Sequence, residues 1–308
     1  MTWIALAALA LLFFGNLWLL IWLFRRRWRL AAALLFVEAL FGVYAAWVEP
    51  RMLVVTRLSV EVKGLSAPVR VLAIGDPQPT RLHWSPRRLR AAFELGAAED
   101  PDIVLWLGDY AYEPGWARLI GLHDLMFVEP AAIAHEMGRI DAPMGSYAIL
   151  GNHDWWWDGS AMWRLLEEKG VTVLVDRAVK AAHPESGAAL WIVGLDDLSA
   201  PRIYDLAGAL AQTDDSAPKL LLSHSPDVFP EAPPEIALTL SGHTHGGQIV
   251  LPMIGALAAP IENRDHVYGL VEEEGRRLFV TAGIGTAIVP MRFGRPPEVA
   301  VIELVPAR

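Results

Sequence analysis

Five short apolar runs in this chain stop at side chains able to bind a cation. Val71–Ile74 leads into Gly75 and Asp76, Ile103–Leu107 into Gly108 and Asp109, and Tyr147–Leu150 into Gly151, Asn152, His153 and Asp154. Leu220–Ser223 stops at His224, and Leu238–Ser241 leads into Gly242, His243, Thr244 and His245. These positions supply carboxylates, an amide and imidazoles in a chain without cysteine. Such a donor set suits divalent Mn, Zn or Fe and excludes thiolate chemistry. Two such ions about 3.5–4 Å apart polarise a phosphoryl oxygen and turn a bridging water into hydroxide near neutral pH. Hydrolysis at phosphorus is the chemistry this set could perform.

The elements needed to gather these residues are legible in the hydropathy pattern. Strands are expected at Leu53–Val62, Val69–Ile74, Ile103–Leu107, Tyr147–Leu150, Val171–Val175 and Leu190–Val193. Others follow at Lys219–Ser223, Ala237–Leu240, Gln248–Leu251, Leu278–Thr281 and Val299–Leu304. Helical patterns occupy Pro86–Glu99, Trp116–Arg139, Ser160–Lys169 and Ile203–Ala211, the first opened by a proline whose φ suits a helix start. Strand and helix alternate early and strands dominate later, which predicts an α/β layered domain with two sheets between helices. In open α/β sheets ligands bind beyond the carboxyl ends of strands, where the polar residues fall here. The glycines before them let the backbone turn sharply at the rim.

The first fifty residues follow another rule. Residues 3–24 carry no charge and 30–48 carry only Glu38, each about the ~20 residues a membrane-spanning helix needs. Two transmembrane helices are therefore predicted, making 1–50 a membrane anchor and 51–308 the catalytic domain. Arg25, Arg26, Arg27 and Arg29 lie between them and favour the cytoplasmic side. With both segments spanning, or with the second acting as a retained export signal, the domain lies on the non-cytoplasmic side. A single span with the domain inside is the other topology. The net charge is −9, and the anchor's four arginines and two glutamates leave the remainder at −11. So acidic a domain argues against nucleic acid as a partner.

Residues 69–304 resemble the calcineurin-like metallophosphoesterases, in particular their bacterial membrane-anchored phosphodiesterase branch. The resemblance rests on Gly75-Asp76, Gly108-Asp109-Tyr110, Gly151-Asn152-His153-Asp154, Ser223 to Asp227 and Gly242-His243-Thr244-His245-Gly246-Gly247-Gln248 in that order. It implies an α/β two-sheet layered metallophosphoesterase sandwich, here with an N-terminal transmembrane helical segment. It also implies two divalent metal ions. Asp76 and His245 would hold the first and Asn152, His224 and His243 the second, with Asp109 bridging. His153 would stabilise or protonate the leaving oxygen, and Asp154 would orient His153. One departure stands out: the family's first motif is Asp-x-His, whereas this chain has Asp76-Pro77-Gln78. A Gln78 carbonyl oxygen is a weaker donor than imidazole, so the first site is expected to be weak. His83 could fold back to supply the missing imidazole. Ala282 and the order Arg295-Pro296 also depart from the branch.

The remaining polar residues read mostly as structural. His123, His135, His183 and His266 match no motif, and Asp196-Asp197, which follows a strand, could reach the rim but reads rather as a loop cap. Arg292 could grip a phosphate or form a structural salt bridge. Trp155–Trp157 could be a packed loop or an amphipathic wall for a lipid headgroup, and Leu251–Pro260 could line the same groove. The function expected is hydrolysis of a phosphodiester or pyrophosphate in a phosphorylated, lipid-linked small molecule of the envelope, by an integral membrane enzyme. Two alternatives stay open. One is pyrophosphate cleavage of the lipid A precursor UDP-diacylglucosamine at the cytoplasmic face; the other is a catalytically weakened metal-binding membrane protein.

Overall fold

A computed structural model describes the chain apart from residues 1–14, 20, 23, 26, 27, 114, 199–203, 215 and 308. Two six-stranded sheets pack face to face and are covered on their outer faces by helices. The first sheet has strand order β1 (Val54–Val62), β14 (Glu298–Pro306), β2 (Val69–Ile74), β3 (Ile103–Trp106), β4 (Ser146–Ala148), β5 (Thr172–Val173). The second runs β12 (Gly269–Glu273), β13 (Arg276–Val280), β9 (Ile236–Ser241), β8 (Lys219–Leu222), β7 (Ala189–Gly194), β6 (Arg177–Ala182). A hairpin of β10 (Val250–Leu251) and β11 (Gly255–Ala256) stands apart.

Alternation along each strand explains why these runs are apolar throughout. Val71 and Ala73 of β2, Ile103 and Leu105 of β3, and Leu220 and Leu222 of β8 point into the core between the sheets. Leu72, Val104 and Trp106 point the other way, into the layer formed by α2 (Pro86–Ala97), α5 (Pro130–Met137) and α6 (Asn152–Glu167). Leu221 points outward beneath α7 (Leu206–Leu210). A strand buried on both faces needs apolar residues at both parities. Each such Leu, Ile or Val contributes roughly 1.5–3 kcal/mol by leaving water. Strands β2 to β5 are mutually parallel, as are β7, β8, β9 and β13. Their carboxyl ends meet at one rim: His243 N–H donates to the Asp76 carboxylate at 3.0 Å, from one sheet to the other.

Several expected elements differ. Trp116–Arg139 forms three short helices, α3 (Gly115–Leu119), α4 (His123–Met126) and α5. Gly121 turns the chain at φ +71, and Glu129 is extended before Pro130, which cannot continue a helix from the preceding turn. The helix expected from Ser160 starts at Asn152, so motif residues ride on its first turn. Ile203, where another helix was expected to begin, lies outside the described residues, and α7 runs only from Leu206. Strands β6 and β12 pair antiparallel at the two edges of the second sheet and escape a pattern search because they are half exposed.

At the N-terminus, α1 (Arg29–Val43) continues through a π-helical turn at Tyr44–Val48 and a 3-10 turn at Glu49–Arg51. An 18-residue window of this 23-residue stretch has a mean hydropathy of 1.9, which makes one helix long and apolar enough to cross a membrane. At 1.5 Å per residue it is about 35 Å long. Leu30, Leu34, Val37, Leu40 and Val43 are all exposed. The predicted segment 3–24 lies largely outside the described residues, as do Arg26 and Arg27. The far end of α1 packs on the domain. Arg292 N–H donates to the Ala45 carbonyl at 2.8 Å, the Arg295 N–H to buried Glu49 at 2.7 Å, and the Phe41 and Phe293 rings lie 4.3 Å apart.

Candidate active site

The rim where the parallel strands end gathers the predicted residues. Donor atoms of Asp76, Asp109 and His224 all lie within 4.8 Å of one another, and the three side chains are buried. His224 Nε2 is 3.4 Å from Asp109 Oδ2, and the Nδ1 of His243 is 3.2 Å from His224 Nε2. His245 Nε2 stands 3.8 Å from Asp76 Oδ1. Gln78 donates from Nε2 to Asp109 Oδ2 at 2.8 Å. Asp76, Gln78, Asp109, His243 and His245 all have positive φ. For residues with a Cβ that conformation is costly and concentrates where geometry serves function.

Close approach demands small residues between these ligands. A Cβ on Gly108, itself at φ +98, would lie 2.5 Å from His224 Nδ1. A Cβ on Gly151 would collide with Asp109 Oδ1 and lie 2.7 Å from His224 Cε1. The glycines of the motifs are therefore part of the packing of the site as well as of its turns.

The donors and charges of the pocket suit a cation. Burial, with the neighbouring Asp109 charge, pushes the Asp76 carboxyl up to about 7 against the pull of His224. Burial acts in the same sense on Asp109, but His224 and His153 outweigh it and hold that carboxyl well below its ordinary range. Burial would lower His224, yet Asp109, Asp76 and Asp197 raise it well above its usual value. Burial, then Arg292, depresses His245; burial, then His224, depresses His243. Two buried carboxylates thus stand beside His243 and His245, whose imidazoles are held neutral, and beside His224, whose charged form the carboxylates favour. Gln78 Oε1, Asn152 Oδ1 and His245 Nε2 are buried and have no hydrogen-bond partner among the described residues. Buried polar atoms seldom go unpaired, and Gln78 and His245 border the carboxylates. The donors are oxygen and imidazole nitrogen only, which fits divalent Mn, Zn or Fe.

Two expectations about supporting residues are corrected. Asp154 does not serve the His153 ring: Oδ2 accepts from the N–H groups of Asp109 and Gly151, and Oδ1 from those of Tyr110 and Ala111, at 2.8–2.9 Å. It therefore ties the Asp109 loop to the start of α6. Burial and the Asp109 charge push its carboxyl up to about 7, against the donors that favour the anion. Arg292 is fully buried and grips neither substrate nor acid. Its guanidinium donates to the carbonyls of Gly285, Ala282 and Gly283 and lies 3.5 Å from His245 Nδ1. It sets the loop behind His245.

His153 sits at the mouth. Its N–H donates to Asp109 Oδ1 at 3.0 Å, and its ring lies between Tyr112 at 5.2 Å and Trp156 at 4.8 Å. With Trp157 and Ile288 these side chains line a cavity of about 500 Å³. A second cavity of about 320 Å³ lies over His243 and His245, walled by Gln248, Ile249, Leu257–Pro260 and Ala287–Val289. His83 is not in the site: Nε2 contacts the Pro290 carbonyl at 3.0 Å and the ring faces Trp47. His183 pairs with Asp102 and His266 with Glu273, both away from the rim. For Asp197 the rim reading is favoured over the loop cap: it is buried and its charge acts on both His224 and His243. The signal is the same as at the other motifs, since Leu190–Val193 also runs through a glycine to an acidic pair.

Residues 69–248 match the family model for calcineurin-like phosphoesterase, and the chain belongs to that family. It is a metallophosphoesterase, a hydrolase acting on phosphoesters, and the family uses a dinuclear metal centre. The chain is 31% identical over 253 residues to phosphodiesterase YaeI of Escherichia coli (strain K12), covering 79% of this chain and 84% of that protein. It is 28% identical over 297 residues to a transmembrane protein with metallophosphoesterase domain of Danio rerio, covering 89% and 62%. It is 25% identical over 329 residues to UDP-2,3-diacylglucosamine pyrophosphatase LpxG of Chlamydia trachomatis, covering 88% and 94%.

Proposed function

We propose that this chain is a membrane-anchored enzyme hydrolysing a phosphodiester or pyrophosphate in a lipid-linked substrate of the envelope. The reading assigns residues 1–50 to the anchor and 51–308 to a catalytic domain on the non-cytoplasmic side. Asp76, His245 and the Gln78 side-chain oxygen would hold one divalent ion, Asn152, His224 and His243 would hold the second, and Asp109 would serve both. When bound, the pair supplies Lewis acidity toward the phosphoryl oxygens and acidifies the attacking water. The carrying observation is the convergence of Asp76, Asp109 and His224 within 4.8 Å.

The protein's own side chains do the rest. The Asp109 carboxylate is aimed by the His153 N–H and by the loop that Asp154 ties down. The His153 ring, at the mouth of the site, donates a proton to the leaving oxygen, a general-acid role for an imidazole. Tyr112 and Trp156 hold that ring in place by edge contacts. The test is turnover of bis(p-nitrophenyl) phosphate by the detergent-solubilised full chain with Mn. Asp109→Asn is expected to lower kcat by a factor on the order of 10²–10³, as loss of a charge-stabilising group does. Full activity in that variant would overturn the reading, and so would tight metal binding without turnover in the parent with Mn, Zn and Fe.

A second reading has one specific support: the similarity to the Chlamydia pyrophosphatase extends over 88% of this chain. In that case the substrate is UDP-2,3-diacylglucosamine and the domain faces the cytoplasm. Protease accessibility of the C-terminal domain in sealed inverted vesicles decides between the two topologies.

A further inference from the structure

Resting on the membrane-anchor reading above, we propose that the β10–β11 hairpin and the 287–293 loop form a second, shallow membrane contact. Together they lay the mouth of the active site on the lipid interface.

The anchor helix is built into this face. Phe293 packs on Phe41, and the neighbouring Arg292 N–H bonds to Ala45, one turn along the same side of the helix. Phe41 is about 6 Å deeper along the helix axis than Ala45. Beyond them, Trp47 and the Arg51 guanidinium stack at 3.4 Å, a pair suited to the headgroup level. With that end at the interface, Phe293 reaches the boundary between headgroups and acyl chains.

The hairpin and the loop are sewn to Phe293. The Phe293 N–H donates to Gln248 and its carbonyl accepts from Val250. The Gln248 side chain bonds the Ala287 N–H and the carbonyls of Ala287 and Val289. Helix end, hairpin and loop therefore form one hydrogen-bonded unit. Residues 249–261 and 283–291 contain no charged side chain. Met253 at the hairpin tip is fully exposed, Ile254 is 71% exposed and Ile288 is 79% exposed. Met253 and Ile288 sit at φ +64 and φ +60, a costly conformation, above all for β-branched Ile288. Strain that pushes an apolar side chain into water has no return within the protein; in lipid the side chain is buried.

Continuity with the helix names the occupant as a bilayer surface. The cavity between hairpin and loop, with His243 and His245 on its floor, then opens at the lipid headgroups.

The chain lacks cysteine, so single labels are clean. Met253→Cys, Ile288→Cys, Leu34→Cys and Glu185→Cys full-length proteins, labelled with an environment-sensitive fluorophore, are placed in phosphatidylethanolamine–phosphatidylglycerol vesicles carrying headgroup-proximal spin-labelled lipid. Labels at 253 and 288 are expected to be quenched about twofold more than the label at Glu185, as for groups 5–10 Å into the interface. Quenching at 253 and 288 equal to that at 185 overturns the proposal. If deep-placed spin label fails to quench position 34, the anchor reading itself falls and the proposal with it. Quenching at 34 but not at 253 or 288 removes only the second contact.

Discussion

Asp154 shows how a motif residue can matter without touching the reacting atoms. Its carboxylate collects backbone N–H groups from Asp109, Tyr110, Ala111 and Gly151. Asp154→Ala leaves buried donors unsatisfied and should lower unfolding stability by about 3 kcal/mol or more, measured by urea denaturation. In the proposed mechanism His153 acts instead on the leaving group, so the effect of its loss should depend on that group. His153→Ala is expected to cost little with a p-nitrophenolate leaving group, which needs no proton. With an alkyl phosphodiester the loss should be about 10²-fold or more, read from kcat for the two substrates. In the proposed ligand set Gln78 stands where an imidazole would bind a cation more strongly. Gln78→His should raise metal content at limiting Mn, measured by elemental analysis; no change in content would take Gln78 out of the ligand set.

At the scale of elements, α6 begins at Asn152 so that three motif residues occupy one turn beside Asp109. Gly151→Ala would push the Asp109 carboxylate aside. A misplacement of that size should cut kcat on the order of 10²-fold while the fold stays intact by circular dichroism. The seat of α1 is a second junction, where His83 lies against Trp47 and Pro290. Burial lowers the His83 pKa from 6.5 to about 4, with nearby Arg51 and Arg88 acting in the same sense. The folded chain keeps this imidazole neutral while the unfolded chain protonates below about 6.5. Stability is therefore complete above that pH and is lost as pH falls through the window down to about 4. Melting temperature against pH should show this acid-side loss, reduced in His83→Phe.

The whole molecule joins an apolar helix to a two-sheet enzyme through a buried junction rather than a loose tether. Glu49 receives the Arg295 N–H, and Arg292, held to Ala45 by its own N–H, carries a side chain that frames the loop behind His245. The apolar helix and the candidate metal pocket thus share supports. Glu49→Ala is expected to lower the melting temperature of the detergent-solubilised chain by several degrees, since it strands buried donors at this junction. An unchanged melting temperature would mean that the helix end bears no structural load.

Much of the architecture was legible because burial on both faces demands long apolar runs, and these marked β2, β3, β7, β8, β9 and β14 directly. The same logic located the rim, since polar residues closing several apolar strands collect on one side of a parallel sheet. Short helices broken by Gly121 and Pro130, and the half-exposed edge strands β6 and β12, were illegible because their identity is set by neighbours rather than by their own periodicity. Sequence alone determined the donor types and their order, and hence the chemistry. Only the tertiary structure decided which atoms face which. Asp154 turned toward backbone amides, Arg292 toward carbonyls and His83 toward the apolar helix α1, because a side chain's partner is chosen by three-dimensional contact, and distance along the chain carries no information about that.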